Sequence, residues 1–200
     1  MRTALLLPLL LAACSTAASG VTPEAPPPRQ LDPTDSALAE RLARADAAIR
    51  ELGSTLGARL AEAIGSGGPA SAVEVCSTEA QVLTARIAAA HGVRLGRTSH
   101  KLRNPANAPR PWVKPWLARH AGGPAASAQP AVFDLGGDRI GVVRPIATQP
   151  LCTLCHGESI DPSVQEALRE RYPADRATGF AVGELRGAFQ VEVAPSRTGP

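Results

Sequence analysis

The chain has 200 residues, 44% hydrophobic and 20% charged, the size and balance of one globular domain with short terminal segments. No apolar run approaches the roughly 20 residues that a membrane-spanning helix needs. A net charge of +3 is too small to argue for a nucleic-acid partner.

The N-terminus reads as an address. Arg2 supplies a positive charge, Ala4 to Leu11 form an apolar segment, and Leu11-Ala12-Ala13-Cys14 places small residues before a cysteine. This tetrapeptide matches a bacterial lipobox, which implies a signal peptide over residues 1–13 and diacylglyceryl attachment at Cys14. An ordinary secretory signal cut nearby is the other reading. Residues 14–33 are rich in Ala, Ser, Thr, Gly and Pro, with Pro26-Pro27-Pro28 favouring an extended tether over packing.

From Ser36 to Ile64, Leu38, Leu42, Ile49, Leu52, Leu56, Leu60 and Ile64 recur at three-, four- and seven-residue spacings. The pattern predicts a long amphipathic helix ended by Gly65-Ser-Gly-Gly. Its stripe could pair with a second copy as a homodimer, but Ala45, Ala47 and Ala48 thin the seam, which favours packing on its own domain. Pro69 opens a second helix running to about His91. Val93 to Ser99 reads as a strand, residues 101–109 as a structured loop, and Pro111 starts a short helix carrying Trp112 and Trp116. Residues 124–130 form a small linker. Val132 to Leu135 and Arg139 to Ile146, joined by Gly136-Gly137-Asp138, form a predicted β-hairpin. A helix from Pro162 to Arg171 and a strand from Leu185 to Val193 complete the domain over residues 34–194, with residues 195–200 as a tail. Helices first and an antiparallel sheet later make an α+β fold. All six aromatic residues fall after residue 111, so the large planar part of the core belongs to the second half.

The four cysteines carry the functional argument. With Cys14 assigned to lipid, residues 152–157 read Cys-Thr-Leu-Cys-His-Gly, the C-x-x-C-H pattern of haem c attachment. Two thiols three positions apart can each add across a haem vinyl group, and the adjacent histidine then faces the iron. A thioredoxin-like redox pair would need a βαβ pattern around the motif, which is lacking. Candidates for the opposite face of the iron are Cys76, His91, His100, His120, a lysine or an open site. Methionine is excluded, because Met1 leaves with the signal and no other is present. Cys76 is preferred: it is the odd cysteine in an oxidising compartment, on an apolar helical stretch. His91 precedes Gly92 at a helix end, His120 precedes Ala121-Gly122-Gly123, and His100 sits in a basic stretch that suggests solvation.

Val73-Glu-Val-Cys76-Ser, Gly96-Arg-Thr-Ser99, Leu102-Arg-Asn-Pro-Ala-Asn107, Pro145-Ile-Ala-Thr-Gln-Pro150, the C-x-x-C-H motif and Asp175-Arg-Ala-Thr-Gly-Phe180 occur in this order. As a set they resemble a bacterial family of c-type haem domains, found as stand-alone exported proteins and as periplasmic sensor regions. The resemblance covers roughly residues 36–193. It implies a PAS-like antiparallel sheet with flanking helices, and one covalent haem c held by Cys152 and Cys155. It also implies His156 and Cys76 as axial ligands. Arg97, Lys101 and Arg103 alternate near the expected pocket and are candidate partners for the haem propionates; a solvated basic face is the bland alternative.

These features are those of a redox or small-ligand sensing haem module, anchored by lipid at the periplasmic face of a membrane. The outer membrane is favoured in a Gram-negative cell by Ser15. A membrane-tethered electron carrier and a structural haem subunit of a respiratory complex are the alternatives. Each requires a redox or signalling partner protein. A catalytic role is the weakest reading, because two axial ligands leave no open iron position, and neither G-x-S-x-G nor H-E-x-x-H occurs.

Overall fold

The computed structural model describes residues 28–195. The expected signal peptide, Cys14, most of the tether and the tail from residue 196 lie outside the described residues. A single antiparallel sheet organises the remainder: β1 (Val93–Thr98), β2 (Ala131–Asp134), β3 (Ile140–Ala147) and β4 (Leu185–Val193), in the order β1-β4-β3-β2. The central strand β4 is buried almost continuously, as a strand covered on both faces must be. Gly136, Gly137 and Asp138 all adopt positive φ, which lets the β2–β3 connection turn tightly.

Helix α1 spans Ala39–Thr78 and lies across one face of the sheet. Ala45, Ala48, Leu52 and Leu56 point inward with Val93, Leu95, Val142, Val191 and Val193. The stripe is therefore spent on its own domain. Where the sequence predicts a stop after Ile64, the helix bends instead. Gly68 takes φ +77°, a conformation that favours glycine, and Pro69 follows where its missing N–H costs nothing. The segment beyond the bend carries Cys76. Helix α2 (Ala80–Ala90) continues from it, so the predicted second helix is the end of α1 plus α2. Arg59 braces this joint through paired bonds of 2.9 and 2.8 Å to Glu79.

On the opposite face, the 3₁₀ turn Pro111–Val113 and helix α3 (Lys114–His120) set Trp112, Val113, Trp116 and Leu117 on Ala131, Val143, Leu185 and Ala188. The expected linker over residues 124–130 holds a 3₁₀ turn at Ala125–Ser127. Residues 28–31 lie along the edge of β2: Leu31 N–H donates to the Val132 carbonyl at 2.8 Å, and Asp134 N–H to the Arg29 carbonyl at 2.9 Å. Residues 28–31, inside the segment expected to be tether, thus cover a sheet edge of the domain.

The one-turn helix α4 (Thr153–His156) and helix α5 (Pro162–Arg171) follow β3. Asp161 caps α5, accepting from the Ser163 N–H at 2.8 Å. Val73 from α1 packs with Val164, Leu168 and Tyr172, and Cys76 and Cys155 lie against this cluster. That third core brings together cysteines 79 positions apart in sequence (155 minus 76).

Candidate functional site

A cavity of about 380 Å³ opens between the bent end of α1, strands β1 and β4, and the C-x-x-C-H turn. Its volume falls within the range of roughly 300–1,000 Å³ common for small-molecule and cofactor sites. Cys76, Cys152, Cys155 and His156 all line it, with Leu56, Leu60, Ile146 and Phe189 among the apolar walls. The three described cysteines are free thiols. Burial pushes the Cys76 and Cys155 thiols up, while Arg97, Arg103 and Arg186 pull Cys76 back down.

The His156 ring is held in one orientation. His156 Nδ1 lies 2.6 Å from the Ala177 carbonyl oxygen. Burial, and after it the charges of Arg186 and Arg103, push its pKa down to about 2, so the imidazole is neutral. A neutral ring that donates from Nδ1 presents a lone pair at Nε2, the arrangement a metal-ligating histidine requires. Nε2 faces Arg186 Nη2 at 3.3 Å, and Phe180 sits edge-on to the ring at 6.4 Å.

The segment 175–180 is a bracket for this turn. Asp175 accepts from the Ala177 N–H at 2.8 Å and pairs with Arg103 Nε at 3.0 Å. Arg103 Nη2 donates to the Cys155 carbonyl, and the Phe180 N–H donates to the His156 carbonyl at 2.9 Å. The Asp175–Arg103 pair is nearly enclosed, with side chains 11% and 9% exposed.

The structure separates the three proposed propionate contacts. Arg97 lines the cavity and makes no ion pair with a carboxylate among the described residues. Arg103 is already committed to Asp175 and to the motif backbone. Lys101 lies 4.7 Å above the Phe180 ring and donates to the carbonyls of Thr178 and Gly179 at 3.2 and 3.5 Å. Of the other histidines, His91 caps the C-terminal end of α2 and pairs with Glu51 at 2.7 Å, and His120 meets Trp116 in a tilted ring contact at 4.8 Å. His100 is partly buried rather than freely solvated as its basic neighbours suggest. Its Nδ1 is buried without a hydrogen-bond partner, its ring meets Phe180 edge-on at 5.5 Å, and burial pushes its pKa down. None of these three is among the residues lining the cavity.

Sequence reading gave no role to Arg186 or Tyr172, and took Asp175 and Phe180 only as the ends of a family motif. For Arg186 the local signal was an arginine inside the apolar run Leu185 to Val193. Among the described residues, no cluster of three or more His, Cys, Asp or Glu side chains gathers to hold a free metal ion.

A four-stranded antiparallel sheet backed by a bent helix, with a C-x-x-C-H turn at its open end, defines an α+β domain built around one cavity. The chain belongs to the Tll0287-like family, whose sequence profile matches residues 28–194. It is similar to the solved structure described as the crystal structure of the cyanobacterial heme-protein Tll0287. That likeness has a TM-score of 0.59 at 25% sequence identity, over 85% of this chain and 100% of the other. No curated protein matches the sequence.

Proposed function

We propose that this protein binds one haem c in the cavity, attached through Cys152 and Cys155 and ligated by His156 and Cys76. The observation that carries the reading is the lone pair of His156 Nε2 in a cavity that Cys76 lines from another element. The likeness to a heme-protein supports it. The donor set fits: a neutral imidazole and a cysteine that gives up its proton to become a thiolate are haem ligands, and two thiols at i and i+3 suit the vinyl groups. Bound there, the haem would supply a one-electron couple.

The chain's own residues shape that couple. Ala177 fixes the imidazole tautomer, the Asp175–Arg103 pair holds the attachment turn, and the apolar walls keep water from the cavity. Cys76 rides on the short segment after the Gly68 bend, so a change at its sulfur acts on the end of the longest helix. This placement supports a redox or small-ligand sensing module that signals to a partner protein. The order of β1 laid beside the meander of β2, β3 and β4 is compatible with the PAS-like reading. A second reading, electron transfer, is favoured by Leu151 and Leu154, which flank Cys152 and Cys155 and are 54% and 39% exposed. A cofactor edge beneath them would lie close to a docked partner. In either role we place the protein at the periplasmic face of a membrane, anchored through Cys14.

Mass spectrometry of the denatured protein tests the attachment. A haem adduct that survives acid-acetone extraction is expected; a chain that loses all haem in that treatment contradicts the proposal.

A further inference from the structure

Strand β4 carries an irregularity where it meets the cavity. Ile146 of β3 pairs with Gly187, yet Ala147 pairs with Leu185, so Arg186 is an extra residue with no partner in the register. A bulge of this kind reverses the alternation of side chains along a strand. Leu185 and Ala188 consequently face the same tryptophan-lined core, although three positions apart, and Arg186 turns into the cavity instead. Gly187 makes the bulge possible: a Cβ there would stand 2.1 Å from the Thr98 carbonyl oxygen.

The guanidinium aimed in this way makes no ion pair with a carboxylate among the described residues, and Asp175 acts on it only at a distance. Its Nε is buried without a hydrogen-bond partner, and its Nη2 meets only His156 Nε2 at 3.3 Å. Its other neighbour is the face of Phe180, 4.9 Å away. Arg97, on β1 across the cavity wall, likewise makes no ion pair among the described residues. Burial opposes the charge on both arginines. Ligation of iron by His156 Nε2 would remove the one hydrogen-bond contact that the Arg186 side chain has among the described residues. A largely buried cation is stabilised by pairing, so an anion entering with whatever takes that nitrogen would find a partner there.

We infer that Arg186 and Arg97 form a two-guanidinium carboxylate site that receives the two propionates of the bound haem. The assignment rests on the haem reading above, and it replaces Lys101 and Arg103 in that role. Their bonds to the 175–180 bracket are already made. Two unpaired cations match two carboxylates in number and charge, and an arginine fork suits a carboxylate.

The test uses the full-length haem-loaded protein and the variants Arg186→Gln, Arg97→Gln and Arg186→Lys. Arg119→Gln, at an exposed position on α3 away from the cavity lining, is the control. A cation near the haem favours the reduced form, which carries one positive charge fewer. Arg186→Gln and Arg97→Gln should each shift the midpoint potential downward and move the propionate carboxylate bands in redox-difference infrared spectra. Arg186→Lys should keep most of the potential while moving the bands, because the charge remains and the fork is lost. Arg119→Gln should do neither. If Arg186→Gln takes up no haem, Arg97→Gln and Arg186→Lys still decide the matter through the same two readouts. Potentials and carboxylate bands that match the parent in all three cavity variants overturn the assignment. So does a parent potential that follows added chloride or phosphate and loses that dependence in Arg186→Gln, which would give the site to a free anion. A parent chain with no haem adduct after denaturation instead removes the reading on which the assignment rests.

Discussion

His156 Nδ1 and the carbonyl oxygen of Ala177 are 2.6 Å apart, and this contact decides which histidine nitrogen faces the cavity. The carbonyl is held in place by Asp175, which accepts the Ala177 N–H and pairs with Arg103. The orientation of the His156 ring therefore depends on an ion pair that makes no contact with the ring itself.

Asp175→Ala should show this dependence. It leaves the Arg103 guanidinium enclosed and unpaired, a loss on the order of 3–5 kcal/mol in buried pairs. We expect a lower denaturation midpoint and reduced haem incorporation on expression. Thermal unfolding with haem quantitation checks both, and a variant equal to the parent in each would remove Asp175 from the account.

Gly187→Ala tests the bulge. Its Cβ would meet backbone, the Thr98 carbonyl oxygen, rather than a side chain that can swing away. Strands β1 and β4 would have to part beside the cavity, at a cost of about 1–3 kcal/mol for overpacking. Lower stability with altered haem absorbance is the expected outcome in denaturant titration and optical spectra.

The elements most legible in the sequence were those whose signals are local. The periodicity of Leu38 to Leu56 marks α1, Pro162 to Arg171 matches α5, and Leu185 to Val193 matches β4. What the chain order hides are relations across distance. Arg103 and Asp175 are 72 positions apart, and nothing in either neighbourhood announces the pair. Arg186 was hidden for another reason: strict alternation would place it with Ala188 on the tryptophan side, and a bulge cannot be read from residue types. His100 misled through its neighbours, because three nearby basic residues suggest solvent while Phe180, distant in sequence, supplies the cover.

The brace at the α1–α2 joint has a pH signature. The hydrogen bonds from Arg59 hold the Glu79 carboxyl below its ordinary value. A depressed carboxylate contributes stability above its unfolded pKa, and the contribution disappears as pH falls through the folded value. Glu79→Gln should therefore destabilise slightly at neutral pH and differ less from the parent in acid. The exposed setting of the pair keeps the effect small. Urea midpoints across the acid range measure it.

Membrane attachment should depend on Cys14. A lipoprotein cysteine carries two or three acyl chains, enough for stable anchoring where a single chain binds only reversibly. Cys14→Ser should move the protein from the membrane fraction to the soluble exported fraction. A variant recovered in membranes as fully as the parent would count against the anchor.

The ligation itself is tested most directly by the ferric electron paramagnetic resonance spectrum of the haem-loaded protein, parent against Cys76→Ala. Thiolate donation favours ferric iron, so the parent should show a low-spin thiolate signature together with a low reduction potential. Cys76→Ala should lose that signature and gain potential while retaining covalent haem on Cys152 and Cys155. A Cys76→Ala protein whose spectrum matches the parent would show that Cys76 is not the ligand and contradict the account.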